Sequence, residues 1–480
     1  MNLSHSRLMA ALLAAVVGGC VVGPAYHPPV ENLPAHWSEM TPATSPSTRA
    51  VSRTWWQEFK DPELNSLLQR AARNNLGIKQ AEARIREARA KYRFASAALW
   101  PSADASASYT RLLQDEDIFG PLSAGPFPVV LGQQPENLFE AGFDAQWEID
   151  LFGHARRTVE AAQADVAGSY YRRAEATLTI IAEVARNYIE LRGFQQQLAI
   201  ARRNLAVQKD ILALTRARYT GGLVSELDVQ RAQALVESTA ASIPALEVSY
   251  QNAAHRLSVL LGEFPGALDS ELRYPQPIPV APFDLPPDLP SSLLRQRPDI
   301  RRAERKVAAA TARIGVATSD LYPRFSLIGF AGLESLAASE FFDSGSRFWG
   351  IGPSITWPIF RGRQLVAVIK VRQAQQQQAV IAYRQTILKA VEEVENALAA
   401  YTHERDRRMV LANAVTAKRR AASLARALYL SGLTDFLSVL DAQRDLLQSQ
   451  RDLARSDTAL SCAVVALHKA LGGGWRDPSQ

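Results

Sequence analysis

An internal duplication constrains the fold of this chain more than any other feature of its 480 residues. The stretch YTGGLVSELDV at 219–229 returns in similar form as YLSGLTDFLSV at 429–439, 210 residues further on. The same offset of 210 residues pairs Trp147 with Trp357, whereas matching residues nearer the start of each copy are 222 apart. The first copy therefore carries 12 additional residues between these two regions. A repeat on this scale predicts two structurally equivalent units.

Each repeated stretch predicts a helix that turns back on itself. Gly222 and Gly432 can adopt the positive φ that ends a helix, and Ser225 and Asp435 can cap the helix that follows. Each copy is therefore predicted to contain a helix, a variable middle, a long helix, a turn and a shorter helix.

The amino terminus has the layout of an export signal. Arg7 precedes an apolar run at 8–17 and two glycines, which predicts a cleaved signal peptide over 1–19, because the run is too short to span a bilayer. The residues 17–20 resemble the lipobox of bacterial lipoproteins, which implies a diacylglycerol and an N-acyl chain on Cys20. An ordinary signal peptide that ends near a cysteine is the alternative. Val21 after the cysteine resembles lipoproteins sorted to the outer membrane.

The composition is that of a folded protein, with 47% hydrophobic and 21% charged residues. The net charge is +6, and no basic block is suited to nucleic acid. If Cys20 is acylated, no intramolecular disulfide can form, because the one other cysteine is Cys462. Cys462 lies in an apolar helical stretch and is predicted to be a small core residue.

From Ser102 the hydrophobic period changes from that of a helix to that of a strand. The alternation is clearest from Phe139 to Leu151, where seven apolar residues alternate with five polar residues and a glycine. A strand of about 9 to 11 residues with one apolar and one polar face is what a transmembrane barrel requires. Soluble sandwich strands alternate in the same way, but these lie between very long helices. In the second copy 325–333 and 349–359 are the equivalent strands, and the former is apolar on both sides.

Long helices are predicted in both copies. The stretch 154–218 is interrupted only by two glycines, and 363–428 contains neither Gly nor Pro, so each helix would reach about 100 Å. Apolar seams and many alanines permit close helix packing. The shorter helices of each copy nearly sum to one long helix, which predicts a wall of long helices beside short ones stacked end to end; the short helices are expected at 76–99, 225–262, 298–321 and 435–471.

Four strands per chain cannot close a barrel, because single barrels begin at about eight strands and open edges are not tolerated in lipid. The chain must therefore oligomerise, and the strand count leaves two or three chains open. The acidic residues of the second strand would then face a shared lumen that favours cations; they are Glu140, Asp144, Glu148 and Asp150. Solvated charges on a soluble sheet are the alternative.

Four motifs resemble the outer-membrane factors of tripartite efflux pumps, the TolC superfamily, and most closely the lipoprotein branch typified by OprM and NodT-like proteins. They are WEIDLFG at 147–153, LPSSLLRQRPDIRRAE at 289–304, LSVLDAQR at 437–444 and KALGGGW at 469–475. The resemblance implies a mainly α fold with transmembrane β: a homotrimeric twelve-stranded β-barrel, four strands from each chain, continuous with a long periplasmic α-helical barrel.

The resemblance also implies a function and a location. The protein would be a passive exit duct in the outer membrane of a Gram-negative bacterium, in contact with its lipid. An inner-membrane efflux transporter would energise it, through a periplasmic membrane-fusion adaptor. The expected division of the chain is a signal peptide (1–19), a lipid-anchored extended segment (20–60), a first repeat (61–262), a Pro-rich equatorial linker (263–297), a second repeat (298–472) and a tail (473–480), with β-hairpins at about 102–152 and 324–360.

A periplasmic aperture is assigned by the same resemblance to Leu437, Asp441 and Arg444. Leu437 and Asp441 lie one helical turn apart, so three chains would stack an apolar ring beside a ring of carboxylates. Close carboxylates repel, which a proton, a bound cation or Arg444 can relieve. The alternative is a surface Asp441–Arg444 ion pair worth about 0.2 to 0.5 kcal/mol. The first-copy positions, Leu227, Arg231 and Ala234, lack the acid, so the turns are not expected to be equivalent in gating.

Both turns, 219–225 and 429–435, would be the tips that meet the adaptor. Their contact residues are expected to be Gly222, Leu223, Val224, Ser225, Gly432, Leu433, Thr434 and Asp435.

Two other classes of function are less well supported. No His-Glu-x-x-His or Gly-x-Ser-x-Gly motif occurs and the seven histidines are scattered, so the chain is not predicted to be an enzyme, and no metal or other cofactor is expected. A lipid-anchored periplasmic coiled-coil scaffold or adaptor without a pore would explain the helices but not the alternating strands. The substrate is not specified, and methionines at 40 and 409 give no argument for soft-metal export.

Overall fold

The computed structural model describes residues 21–31, 37–38, 54–112, 136–281 and 296–475. The predicted signal peptide, Cys20 and the loop between the first two strands lie outside these ranges, as do parts of the anchor segment, the linker and the tail.

The helices repeat in length from one copy to the other. The two longest have 67 residues each, those after the turns have 35 each, and those before the strands have 22 each. In chain order the helices are α1 (Pro62–Asn74), α2 (Leu76–Ala97), α3 (His154–Thr220), α4 (Glu226–Leu260), the single-turn α5 (Asp269–Leu272), α6 (Pro298–Ser319), α7 (Gln364–Leu430) and α8 (Phe436–Ala470). None of the helices in the described ranges combines the length and the apolarity needed to cross a membrane.

Four antiparallel strands form one sheet in the order β1-β2-β3-β4. They are β1 (Ser102–Leu112), β2 (Glu136–Ile149), β3 (Arg324–Ser335) and β4 (Arg347–Thr356). The register aligns Phe143, Ala331 and Trp349 across β2, β3 and β4. Because side chains alternate between faces, this row belongs to one apolar face, whose exposed members include Trp147, Ile351 and Ile355.

The opposite face of the sheet carries the acids of β2, and we call it the acidic face. Asp144 is aligned with Phe330 and Gly350. A Cβ added to Gly350 would lie 2.5 Å from Phe330 Cζ, so the absence of a side chain there leaves room for the ring. As the sequence predicts, β3 is therefore apolar on both sides.

The chain divides into two compact units. The first comprises residues up to 29, 86–167 and 304–381, and contains the sheet and the helix ends next to it. The second comprises 30–85, 168–303 and the residues from 382 onward, and contains the main hydrophobic core and both turns.

In the first unit, a tryptophan near the end of β2 and another just after β4 each bind the turn that follows a shorter helix. The indole nitrogens of Trp147 and Trp357 donate to the carbonyls of Leu99 and Leu321, both at 3.1 Å. These equivalent bonds show that the two strand-to-helix junctions are built alike.

In the second unit, the start of α1 is fixed by a cap and by an aromatic core. Asp61 accepts hydrogen bonds from the Leu64 backbone at 3.0 Å and from the Tyr188 hydroxyl at 2.9 Å. Trp55 is fully buried and stacks on His468, with ring centroids 4.9 Å apart. Trp55–Phe59 forms a 3-10 helix, whereas the sequence predicts an extended segment there; burial of Trp55 and Phe59 accounts for the helical turn.

The RPD motif at 297–299 forms hydrogen bonds within the second unit. Arg297 is buried and donates to the Ala470 carbonyl at 2.8 Å, to Asp299 at 2.7 Å and to Glu393 at 2.7 Å. These carboxylates raise the pKa of Arg297 against the opposing effect of its burial. The Arg297 guanidinium therefore joins the start of α6 and the end of α8 to the long helix α7.

Candidate functional site

The two predicted turns have nearly the same backbone. Gly222 and Gly432 have φ values of +69° and +72°, and the residue after each donates back to the helix, Leu223 to Arg218 and Leu433 to Leu428, both at 2.9 Å. This is the bond pattern that closes a helix on a left-handed glycine. The prediction that these glycines end the two long helices is confirmed.

The helices that follow are capped as the sequence predicts. At α8, the Asp435 carboxylate accepts from the Ser438 backbone at 3.0 Å and from its hydroxyl at 2.7 Å. These bonds to Ser438 lower the pKa of Asp435. At α4, Ser225 and Asp228 form a capping box in which Asp228 accepts from the Ser225 backbone at 3.3 Å.

An arginine links one turn to the other. Arg218, in the last turn of α3, donates to the Tyr429 carbonyl at 2.7 Å, and its guanidinium lies 4.6 Å from the centre of the Tyr429 ring. The site thus combines a cation at a helix C-terminus with a cation–π contact. Sequence reasoning missed this link, although a basic residue in the last turn of a helix is a recognisable signal.

The turns differ in burial although they are equivalent in sequence. Tyr429 is 4% exposed, and its counterpart Tyr219 is 46% exposed. Tyr429 packs edge-on against Phe436 with centroids 5.6 Å apart, whereas the residue equivalent to Phe436 is Glu226. Beneath them lies a small core shared by α3, α4 and α8, which includes Ile211, Leu212, Ala232, Val236, Val439 and Leu440.

A groove of about 330 Å³ lies between the turns. Arg231 is one of its lining residues, 3.9 Å from Asp228, and it contributes to the lowered pKa of Asp435. Leu223 and Leu433 are both more than two-thirds exposed at the tips. The groove therefore offers a mixed charged and apolar surface at the end of the helices.

The residues predicted for the aperture lie on one exposed side of α8. Leu437 is 40% exposed, and Asp441 and Arg444 are exposed as well. The packed side of the helix is formed instead by Val439, Leu440 and other residues of the small core. Within the described part of the chain, no ion pair joins Asp441 to Arg444, so the surface pair offered as the alternative is not formed here.

Three of the four predicted lumen acids share a face of β2. Glu140, Asp144 and Glu148 follow each other at a spacing of four residues and therefore point to the acidic face. Asp150 lies one residue beyond the strand, and its carboxylate accepts from the Arg156 backbone at 2.8 Å and from Arg156 Nε at 3.2 Å. The structure thus places Asp150 at the start of α3 and not on the strand face.

Other candidate chemistry is limited. The described residues contain no group of three or more His, Cys, Asp or Glu side chains that could hold a metal ion. Cys462 packs against the main core, and burial raises the pKa of its thiol to about 12. A thiol of this kind is poorly reactive.

Comparison with known proteins gives a consistent result. The family model described as outer membrane efflux protein matches residues 67–263 and 289–473. The chain belongs to the outer membrane efflux protein family. The two matched segments coincide with the two copies of the duplication, as expected for one family unit repeated twice.

Relatives in this family match the chain over nearly its whole length. Nodulation protein T of Rhizobium leguminosarum bv. trifolii is 31% identical, over 98% of both chains. The probable outer membrane lipoprotein SilC of Salmonella typhimurium is 29% identical, over 98% of this chain and 99% of the relative. The structure of the outer-membrane channel OprN is 35% identical and superposes with a TM-score of 0.87, over 95% of this chain and all of that one.

Membership of the outer membrane efflux protein family, in its NodT- and OprM-like branch, confirms the resemblance noted in the sequence. The chain has the TolC-like fold of long helices and four antiparallel strands. It is an outer-membrane channel of tripartite efflux pumps, and it is not an enzyme. The coiled-coil scaffold without a pore is therefore the wrong alternative.

Proposed function

We propose that three chains close one twelve-stranded barrel and that their helices continue it as a gated periplasmic duct. The support is the sheet itself, whose outer strands β1 and β4 each leave one edge without a partner strand in the described chain. Such edges are not tolerated in lipid, and twelve strands lie within the range of known transmembrane barrels. Glu140, Asp144 and Glu148 would then give the lumen a preference for cations.

The aperture of this duct is formed by Leu437, Asp441 and Arg444. The observation that carries this assignment is that Leu437 and Asp441 are exposed together on the unpacked side of α8, close to the turn. Asp441 has no ion pair within the described residues, so its charge is available to the same residue of neighbouring chains. Three converging carboxylates repel each other, and a divalent cation, a proton or Arg444 would relieve the repulsion.

The proposed partners follow from two regions of the chain, the turns and the amino-terminal segment. The exposed tips, Gly222 to Ser225 and Gly432 to Asp435, with the groove between them, form the contact for a periplasmic membrane-fusion adaptor and through it for an inner-membrane transporter. In the amino-terminal segment, Cys20 carries a diacylglycerol and an N-acyl chain. Support for the lipid comes from the lipobox-like sequence and from the relative SilC, which is named as a probable lipoprotein.

Conductance in planar bilayers tests the aperture. Full-length protein purified from outer membranes is compared with Asp441→Asn, which removes the charge while keeping the size of the side chain. We expect a narrow, cation-preferring channel in the wild type. We expect the variant to conduct more or to lose sensitivity to divalent cations, because the carboxylate ring is gone.

Asp210→Asn is the matched control. Asp210 is an exposed acid of α3 with no ion pair among the residues described, so removing its charge leaves conductance unchanged. If Asp441→Asn conducts as the wild type does, Asp441 is not the constriction. A folded protein that is monomeric and does not conduct in any variant refutes the trimeric duct as well.

A further inference from the structure

The strongest unexplained feature is an exposed turn between β4 and α7. It comprises residues 357–363, which we call the second junction; the first junction is the equivalent stretch, 147–153, which runs from the last residues of β2 to the start of α3. Both begin with a tryptophan that donates to a helix-end carbonyl at 3.1 Å. The junctions are therefore equivalent positions at the same end of the sheet.

The first junction is covered by the chain's own amino-terminal segment. The Val22 backbone donates to the Phe152 carbonyl at 3.2 Å, and the Arg157 side chain donates to the Gly23 carbonyl at 3.3 Å. Val21 lies so close to Gly153 that a Cβ added there would be 2.8 Å from Val21 Cγ1. Val21 directly follows Cys20 in the sequence, the residue proposed to carry the covalent lipid.

The second junction has no such cover among the described residues. Ile359 is 85% exposed and Phe360 is 89% exposed. They continue the apolar face of β4, where Trp349, Ile351 and Ile355 are also exposed, so the apolar surface runs from the strand into the turn.

Unpaired positive charge follows this apolar surface directly. Arg361, Arg363 and, two helical turns into α7, Lys370 are exposed, and none of them has an ion pair within the described ranges. The chain contains no Asp or Glu from residue 344 to 391, whereas the equivalent part of the first copy contains eight. These cations therefore have no acid nearby in the sequence and no ion-pair partner among the described residues.

Arg363 adopts a backbone conformation that residues other than glycine rarely adopt. Its φ is +63°, a left-handed conformation that favours glycine, and the equivalent residue of the first junction is Gly153 with φ +87°. An arginine at this position retains a cationic side chain where glycine would be less strained.

We propose that the second junction binds an acidic phospholipid of the inner leaflet of the outer membrane. Ile359 and Phe360 pack against its acyl chains, and Arg361, Arg363 and Lys370 bind its phosphate. A barrel strand that ends in an apolar turn followed by cations matches the order of layers in a membrane, in which acyl chains give way to phosphates. Each chain would then hold one acidic lipid at the second junction in addition to the proposed covalent lipid on Cys20. This inference rests on the proposed barrel and on acylation of Cys20.

Native mass spectrometry of the full-length protein in detergent tests the site, with dioleoyl phosphatidylglycerol or dioleoyl phosphatidylethanolamine as the probe. We expect the wild type to retain phosphatidylglycerol in preference. Each basic residue near an anionic surface is worth about 1 kcal/mol, so Arg361→Gln with Arg363→Gln should weaken phosphatidylglycerol binding roughly 30-fold. Phosphatidylethanolamine binding should stay unchanged.

The matched control is Arg419→Gln with Arg420→Gln. These are two exposed arginines of the same helix, remote in sequence from the junction, and this pair should bind phosphatidylglycerol as the wild type does. Phe360→Ala should also weaken retention, because the site contacts acyl chains. Inorganic phosphate at millimolar concentration should not displace the lipid; if it does, the site binds anions and not phospholipids.

Two other results would overturn the proposal. One is equal retention of both lipids by the wild type, or unchanged phosphatidylglycerol binding in the junction variant. The other is a shift of the variant from trimer to monomer with no change in lipid binding, which would make the junction a contact between chains. The same spectra report the number of chains and the acyl mass on Cys20, so a failure of the proposed assembly or anchor is seen separately.

Discussion

At the scale of single residues, His468 illustrates how burial decides a charge. Its ring is stacked on Trp55 in the core, and Glu58 Oε2 lies 4.0 Å from His468 Nε2. The nearby carboxylate would favour the charged imidazolium, yet burial dominates and lowers the pKa of His468 to about 4. The folded protein therefore holds this histidine neutral at physiological pH.

This lowered pKa predicts a loss of stability in acid. The unfolded chain binds a proton at His468 near pH 6.5, whereas the folded chain does so only near pH 4. The stabilising contribution is complete above about pH 6.5 and is lost as the pH falls toward 4; the part lost by pH 5 is about 2 kcal/mol. In thermal unfolding, His468→Gln should reduce the decrease in midpoint between pH 7 and pH 5.

The exposed His255 supplies the control for that experiment. His255→Gln should leave the pH dependence of the midpoint as it is in the wild type, because the side chain of His255 is exposed and not buried in the core. The test concerns the pH dependence and not the absolute midpoint, since His468→Gln also removes the stack on Trp55. Equal pH dependence of wild type and His468→Gln would contradict the prediction.

At the scale of elements, the two turns depend on the backbone freedom of one glycine each. A Cβ at Gly222 or Gly432 would meet no atom within 4 Å, so an alanine there would be strained by its positive φ alone. Gly222→Ala and Gly432→Ala should each cost about 1 to 2 kcal/mol locally. Hydrogen exchange of the turn amides should speed up accordingly in both variants.

Gly345→Ala is the comparison for these two variants. Its surroundings are equally open but its φ is not positive, so exchange at the turns should not change. If Gly432→Ala exchanges like the wild type, the helix end does not depend on the left-handed conformation.

The elements also show which features of the fold can be predicted from the sequence. Turn glycines, caps and strand alternation are set by neighbouring residues, and they are predicted correctly. The link from Arg218 to Tyr429 joins residues 211 positions apart, and local patterns do not specify which faces meet. The alternation continues past Ile149 and so predicts Asp150 on the strand face, whereas the strand ends at Ile149 and Arg156 of α3 binds the carboxylate. Leu437 and Asp441 are exposed on α8, so both side chains are open to neighbouring chains, as the predicted aperture requires.

At the scale of the whole molecule, four strands per chain do not determine how many chains close the barrel. The outer strands β1 and β4 should meet between neighbouring chains. Ala105→Cys on β1 with Ile351→Cys on β4, treated with a flexible bis-maleimide, should give a cross-linked ladder that ends at three chains. Cys462 is half-buried and burial raises the pKa of its thiol to about 12, so it should react much more slowly than the introduced cysteines.

Variants with only one of the two cysteines supply the background for this measurement, because each then lacks a partner on the facing strand. A ladder that ends at two chains would support an eight-stranded barrel. A ladder that continues beyond three would indicate open association and would contradict a closed barrel of either size.

The equal helix lengths restrict which insertions and deletions this protein can tolerate during evolution. Both long helices have 67 residues, both helices after the turns have 35, and Arg218 joins the two turns. Losing seven residues from α7 alone would draw its turn back by about 10 Å and break that link. Insertions and deletions in the helices should therefore survive only as matched pairs, one in each copy, while the loop between β1 and β2 can vary in length by itself.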